Sequence, residues 1–193
     1  MKNNLINTYL IIILKMDFNI EQRFEHNMTQ LHKAVLDQDI QMMKLILALN
    51  DKLILTEDNR GFTPLHIAVK YELYEATEFL LKQPLAKEVI NNSKYNILYI
   101  AIENNSISML NLLLNYNQDM LKYCGSLSLV NFAVEKGQLI ILKYLHNNGC
   151  FWDENTCGYA AKNGHLECLK YLHENDCPWN RWVCANAAQN GYL

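Results

Sequence analysis

Apolar residues recur along the chain in groups whose members lie three residues apart. Each group follows a small residue, and apolar side chains or threonine occupy the positions six, nine and twelve residues after it. The small reference residues are Ala34, Ala68, Ala101, Ala133 and Ala160. Three-residue steps place side chains on one face of an α-helix. Each group therefore predicts an amphipathic helix, preceded by a shorter helix that carries the alanine at its closest packing point.

These groups form an internal repeat. The five alanines, continued to Ala187, are separated by 34, 33, 32, 27 and 27 residues. Over the last step, residues 152–166 align with residues 179–193 without a gap. One such unit cannot bury its own apolar stripe, whereas stacked units can. The predicted fold class is therefore all-α, a solenoid of stacked helix pairs.

One stretch carries a recognisable motif. Gly61-Phe62-Thr63-Pro64-Leu65-His66-Ile67-Ala68 resembles the ankyrin-repeat signature, as do the 34- and 33-residue spacings. Thr29-Gln30-Leu31-His32-Lys33-Ala34 is a weaker copy. The last two units, with Cys-x-x-Ala-Ala-x-Asn-Gly-x-Leu and a 27-residue period, are similar to short ankyrin variants of giant DNA viruses of amoebae. Intracellular bacteria and protists carry related arrays, and they stay an alternative source.

The resemblance implies how the repeats are built. In ankyrin repeats the Thr and His of the motif form hydrogen bonds that lock the turn into the first helix, so His66 is structural. Glycines four residues after the reference alanine suit a left-handed helix cap. The residues assigned a structural role are Thr63, Pro64, Leu65, His66, Ala68, Gly137 and Gly164.

The spacing also predicts the domain organisation. Residues 1–27 form an N-terminal segment, and residues 28–193 form an array of about five and a half repeats. The repeat ranges are 28–61, 62–94, 95–126, 127–153, 154–180 and the incomplete 181–193. Ankyrin repeats carry hairpin fingers between units, and shortening to 27 residues removes them. Fingers are thus expected near residues 50–62, 84–95 and 117–127, with short connections at 149–156 and 176–182. The chain stops where a second helix is due, which suggests a truncated product, a fragment or an end that pairs with something.

The N-terminus carries an apolar run from Leu5 to Leu14 after Lys2. The run is shorter than the roughly 20 residues that span a bilayer, and no small-x-small cleavage site follows it. We expect a partly disordered segment or, for residues 1–15, sequence upstream of a true start at Met16. The expected location is the cytoplasm, that of the host cell if the protein is viral; a secretory signal is the alternative.

Composition narrows the function. Seventeen Lys and Arg residues stand against 20 Asp and Glu, giving a net charge of −3, whereas a nucleic-acid binder is usually basic. The cysteines at 150 and 177, and at 157 and 184, are 27 apart, which indicates copied structural positions in place of disulfides or a metal site. The sequence contains no phosphate loop, no G-x-S-x-G and no H-E-x-x-H. We expect no enzymatic activity, no cofactor and no metal.

The resemblance implies that a partner binds the concave side, formed by the first helices, and the fingertips. The predicted partner-binding residues are Arg60, Ile67, Lys70, Tyr71, Glu103, Phe132, Glu135, Tyr159 and Lys162. Three of them are aromatic, as interface hot spots often are; the alternative is an ordinary mixed surface. The predicted function is a monomeric, non-enzymatic scaffold that binds another protein, with no nucleic acid and no membrane insertion. A truncated adaptor or host-directed effector, whose recruiting module is missing from this chain, is the alternative.

Overall fold

The computed structural model describes residues 22–92, 96–123 and 126–192. The chain divides into two compact units between residues 95 and 96. No strand occurs in the described part of the chain. The predicted all-helical class is therefore confirmed, whereas the boundaries of individual repeats stay a prediction. Residues 1–21, which include most of the predicted N-terminal segment, lie outside the described residues.

The first unit is built from two helix pairs with short helices beside them. Its α-helices are α1 (Gln30–Leu36), α2 (Ile40–Leu49), α3 (Pro64–Lys70), α4 (Tyr74–Leu81) and α5 (Ala86–Asn92). The described residues of this unit also form two short 3-10 helices, Glu25–Asn27 and Asp51–Leu55. Helix α1 packs against its own second helix α2 and against the next first helix α3, which in turn packs against α4.

The second unit continues the same alternation of first and second helices. Its helices are α6 (Ile97–Glu103), α7 (Ile107–Tyr116), α8 (Met120–Tyr123), α9 (Ser126–Glu135), α10 (Leu139–Asn147), α11 (Thr156–Lys162), α12 (Leu166–Glu174) and α13 (Arg181–Gln189). The first helices α6, α9, α11 and α13 contact one another in sequence order. The second helices α7, α10 and α12 likewise contact one another in sequence order.

The core of each unit lies between its first and second helices. The reference alanines from Ala68 to Ala160 are fully buried, and Ala34 is 4% exposed. Twelve residues after each of the five alanines the side chain is buried, whereas six residues after it the side chain is partly or largely exposed. The position eight residues after, which the three-residue stepping passed over, is buried at Ala76, Met109, Ile141 and Cys168. The apolar stripe is thus rotated slightly from the predicted one.

The segments predicted as hairpin fingers differ from the prediction in their described parts; residues 93–95 and 124–125 of these segments lie outside the described residues. Each contains a short helix, Asp51–Leu55, α5 or α8. Two of them bury neighbouring apolar residues: Leu53 with Ile54, and Met120 with Leu121. Successive residues of a strand point to opposite faces, so a hairpin would expose one member of each pair. A helical turn buries both.

The turn between first and second helices has the same backbone conformation in every repeat. The residue four positions after the reference alanine has a positive φ, between 54° and 75°. These residues are Gln38, Glu72, Asn105, Gly137, Gly164 and Gly191. The left-handed cap is therefore present whether or not the position is glycine.

Candidate interaction surface

The Thr-Pro-Leu-His motif fixes the start of α3. Thr63 precedes Pro64, the first residue of the helix. The Thr63 backbone N–H donates to Nδ1 of His66 over 3.3 Å, and the Thr63 Oγ1 lies 2.8 Å from the same nitrogen. Leu65 and Ala68 are fully buried beneath this cap. The motif is thus a capping device that positions the first helix.

The weaker copy of the motif makes the same cap and also links two repeats. His32 Nδ1 accepts from the Thr29 N–H at 3.1 Å, and His32 Nε2 donates to the Phe62 carbonyl at 2.9 Å. Burial lowers the pKa of His32, and the Phe62 carbonyl and the Asp58 carboxylate only partly oppose this. The ring is therefore held neutral with its proton on Nε2, which suits a structural role.

The turn at residues 58–62 is held by a buried carboxylate. Asp58 Oδ1 accepts from the backbone N–H groups of Arg60 and Phe62 at 2.8 and 3.0 Å, and Oδ2 binds the Arg60 guanidinium at 2.6 Å. Burial alone would raise the pKa of Asp58, but these donors hold it below its usual value. Arg60, predicted to bind a partner, is thus engaged by its own turn, although its side chain stays 31% exposed.

Two of the three predicted binding residues on α3 and its end reach the surface. Tyr71, the residue that ends α3, is 50% exposed, and Lys70 is half-buried. The Lys70 ammonium lies 4.8 Å from the centre of the Phe62 ring. Ile67 is fully buried, as are its neighbours from Pro64 to Val69. Its side chain is not accessible to a partner, so the prediction that Ile67 binds one is wrong.

On α6 and α9 the predicted residues form a cluster around an aromatic pair. Phe132 is half-buried, and its ring meets that of Tyr99 edge-on with centres 5.1 Å apart. Lys136 lies 5.3 Å from the Phe132 ring and 3.9 Å from the carboxylate of Glu103. Tyr99 was not among the predicted residues, although its place two positions before Ala101 could have indicated it.

Glu135, Gly137 and Gly164 each contact an aromatic or histidine ring from the next repeat. The Glu135 side chain is exposed, while its carbonyl accepts from His165 Nε2 at 2.9 Å. The His165 ring covers Gly137, where an added Cβ would come within 2.5 Å of the ring. The Tyr192 ring covers Gly164 in the same way, at 2.6 Å. Each glycine therefore makes room for a ring from the next repeat.

The first helices α11 and α13 and the residues just before them line an open groove of about 500 Å³. We call it the C-terminal groove, and its lining residues are Asn155, Gly158, Tyr159, Lys162, Asn180, Trp182, Asn186 and Gln189. Tyr159 is half-buried and Lys162 is exposed, as a binding role requires. Trp182 is 54% exposed on the opposite wall. The groove thus unites two predicted partner-binding residues, Tyr159 and Lys162, with an exposed tryptophan.

The other two tryptophans face histidines of the second helices. Trp152 lies 4.1 Å from His146, measured between ring centres, and His146 Nδ1 hydrogen-bonds to the Tyr171 hydroxyl at 2.8 Å. Trp179 lies 5.1 Å from His173 and is 47% exposed. His146 therefore joins α10 to α12 through a side-chain hydrogen bond.

The thiols in the described residues are free. Cys150, Cys157, Cys168 and Cys177 are buried, and Cys184 is exposed. Burial raises the pKa of Cys150 and of Cys168 to about 11, which keeps both protonated. Within residues 22–92, 96–123 and 126–192, no three His, Cys, Asp or Glu side chains are grouped as a metal site requires. None of the described helices combines the length and apolar character of a membrane span.

The comparisons with known proteins identify the family. A family model described as ankyrin repeats, in three copies, matches residues 2–89 and 31–124, more than half of the chain. The chain belongs to the ankyrin-repeat family. The C-terminal 27-residue units lie beyond the matched residues, but they show the same helix pairs and the same turn.

Relatives and solved structures agree with this family. The chain is 31% identical to an ankyrin repeat protein of Acanthamoeba polyphaga mimivirus, over 70% of this chain and 18% of that protein. This match confirms the predicted resemblance to giant-virus proteins. Mouse Rabankyrin-5 is 24% identical, over 69% of this chain and 12% of its own length. The chain thus spans less than a fifth of either relative.

Two ankyrin repeat domains of known structure share the fold. That of Bcl-3 superposes with a TM-score of 0.68 at 17% identity, covering 91% of this chain and 80% of its own. That of human ASB11 has a TM-score of 0.55 at 18% identity and covers 84% of each chain.

Proposed function

We propose that this protein is a non-enzymatic scaffold that binds a partner protein through the surface of its first helices. Ankyrin repeats are in general protein-interaction scaffolds, and the family is established above. The observation that carries the proposal is the cluster on α6 and α9. There an aromatic pair, Tyr99 with Phe132, lies beside the ion pair of Lys136 with Glu103.

The chemistry of this surface is that of a protein interface. Aromatic side chains contribute most of the energy at hot spots, and charges around them give specificity. In the first unit, Tyr71 presents a half-exposed ring beside Lys70. In the second unit, Phe132 and Tyr159 lie on successive first helices, with Glu135 and Lys162 exposed nearby.

Replacing Tyr71, Phe132 and Tyr159 together by alanine tests the proposal. We expect a partner captured by the wild-type chain in a pull-down to be lost, because the aromatic anchors are removed. Circular dichroism should show unchanged helix content, since all three rings reach the surface. Ile140→Ala removes a 65% exposed side chain from the second helix α10 and should leave capture unchanged. Undiminished capture by the triple variant would refute the assignment of the surface.

A second proposal concerns the whole protein. The chain spans 18% of the mimivirus relative and 12% of Rabankyrin-5, and both are much larger proteins that include such repeats. We propose as an alternative that the array is the recognition part of an adaptor or host-directed effector. Sequencing the transcript past Leu193 tests it, and a stop codon there with a fully active product would contradict it.

We further propose that the protein acts in the cytoplasm. Five described cysteines are free thiols, and thiols stay reduced in that compartment. Imaging a tagged full-length chain in the expressing cell tests this, and a luminal or secreted signal would overturn it.

A further inference from the structure

The C-terminal groove differs in chemistry from the aromatic cluster on α6 and α9. Half of its lining residues are carboxamides, and the remainder include two aromatic rings and one lysine. The carboxamides are Asn155, Asn180, Asn186 and Gln189. A carboxamide both donates and accepts hydrogen bonds, as does each peptide group of an extended chain. A surface rich in carboxamides is therefore suited to a ligand with an unpaired main chain.

Two of these amides are held in place by the backbone. Asn180 Nδ2 donates to the Glu154 carbonyl at 2.9 Å, and its Oδ1 accepts from the Trp182 N–H at 2.9 Å. Asn186 Nδ2 donates to the Gly158 carbonyl at 3.2 Å. Gly158 lies directly beside that amide, which a Cβ at this position would touch at 3.4 Å, an ordinary van der Waals distance. The floor of the groove is thus preorganised, which lowers the entropy lost on binding.

The one charged side chain among the eight lining residues is basic, Lys162. Outside the lining, the Arg181 guanidinium lies 4.9 Å from the Trp182 ring, and the exposed Glu154 adjoins Asn155. The Asp153 carboxylate near one end already accepts from the backbone N–H and the side-chain amide of Asn155, at 2.9 and 3.1 Å. The chain as a whole carries a net charge of −3, so attraction of an acidic ligand would be a property of this groove.

We propose that the C-terminal groove binds a short extended peptide segment that carries an acidic side chain next to a bulky apolar one. The acidic side chain pairs with Lys162, the apolar one packs between Trp182 and Tyr159, and the amides bind the main chain. A volume of about 500 Å³ lies within the range of about 300–1,000 Å³ typical of ligand pockets. This inference rests on the proposed function, because the groove is part of the first-helix surface.

The test is selection from a random peptide library displayed on phage, using the full chain as bait. We expect the wild type to enrich peptides with Asp or Glu beside an aromatic or large aliphatic residue. Synthetic copies of the enriched peptides are then titrated by fluorescence polarisation. Lys162→Glu should raise the Kd by about tenfold or more. Trp182→Ala should weaken the same peptides to a similar degree.

Lys170→Glu is the matched control, since it makes the same change of charge at an exposed lysine of α12 that pairs with Glu167 at 2.8 Å. It should leave the Kd unchanged. Enriched peptides without an acidic preference, or equal weakening by both charge reversals, would overturn the inference. Peptides that lose binding with Phe132→Ala but keep it with Lys162→Glu would overturn the inference and support the proposed function. A selection with no peptide sensitive to either would overturn both.

Discussion

At the scale of single residues, the turn glycines Gly137 and Gly164 satisfy two constraints at once. Gly137 has a φ of +68°, where a side chain costs about 1–2 kcal/mol. The His165 ring also fills the space of a Cβ. Gln38, Glu72 and Asn105 adopt the same φ in the other repeats, so the backbone conformation alone does not require glycine.

Gly137→Ala separates these two constraints when it is compared with Gly149→Ala. Gly149 has a φ of +82° with no atom within 4 Å of an added Cβ, so it reports the backbone cost alone. We expect Gly137→Ala to lower the free energy of unfolding by more than Gly149→Ala, because the His165 ring must also move. Urea unfolding followed by circular dichroism measures both losses. Equal losses would show that the ring contact contributes nothing.

Residue roles were predictable where they depend on neighbours in sequence. The Thr63–His66 cap spans three residues, and the motif alone predicts it. Ile67 was wrongly predicted to bind a partner, because its complete burial depends on helices packed against α3 from elsewhere in the chain. Arg60 stays a predicted binding residue, although its guanidinium also pairs with the buried Asp58 carboxylate two residues away. The groove residues Asn180 and Asn186 were not predicted, because nothing in the sequence distinguishes them from the other asparagines of the chain.

At the scale of elements, a buried hydroxyl joins the first helices α9 and α11. Thr156 Oγ1 donates to Asn131 Oδ1 at 2.8 Å and accepts from the Asp153 N–H at 3.2 Å. Thr156 is fully buried. Loss of such a hydroxyl leaves buried polar atoms without partners, which costs about 1–3 kcal/mol.

Thr156→Val should therefore lower the free energy of unfolding by about 1–3 kcal/mol. Thr77→Val is the matched control, because Thr77 is equally buried but donates only to the Leu73 carbonyl of its own turn. That carbonyl also accepts from the Thr77 N–H, so it stays hydrogen-bonded. Chemical denaturation compares the two variants. If Thr77→Val costs as much as Thr156→Val, the link between α9 and α11 has no special weight.

The period of the helix pairs was predictable, whereas the nature of the connections was not. Apolar residues at three-residue steps predict a helix, but they fix the direction of its buried face only to within one residue. The buried Met109 and Ile141 were overlooked for this reason. In the connections, two neighbouring apolar residues such as Leu53 and Ile54 fit either a strand or a helical turn by composition. A helical turn can bury both residues of such a pair, whereas a strand buries one. Which residues are buried cannot be read from the sequence.

At the scale of the whole molecule, two units with separate cores suggest separate unfolding steps. Repeat arrays are stabilised by terms for each unit and for each interface between neighbours. All three tryptophans, at 152, 179 and 182, lie in the second unit. Tryptophan fluorescence therefore follows the second unit, whereas circular dichroism follows both.

Ala101→Asp places a carboxylate at a fully buried position of α6 in the second unit. An unpaired buried charge costs about 3–5 kcal/mol. We expect the fluorescence transition to move to lower urea concentration, while part of the circular dichroism signal is lost only at higher concentration. Ile140→Asp, at an exposed position of α10, is the control and should leave the two signals unchanged. Coincident transitions in the Ala101 variant would contradict independent units.

The pairing of a turn glycine with a ring from the following repeat restricts how such a gene can be rearranged. Gly137 pairs with His165 and Gly164 pairs with Tyr192, at two successive boundaries between repeats. Duplication or excision of a whole 27-residue unit preserves this pairing, because the ring of the following repeat still packs on a glycine. A recombination event could instead place the unit that contains His165 directly after the repeat that contains Glu72. The His165 ring would then clash with the Cβ of Glu72. The C-terminal units are therefore exchangeable among themselves but not with the longer units before them.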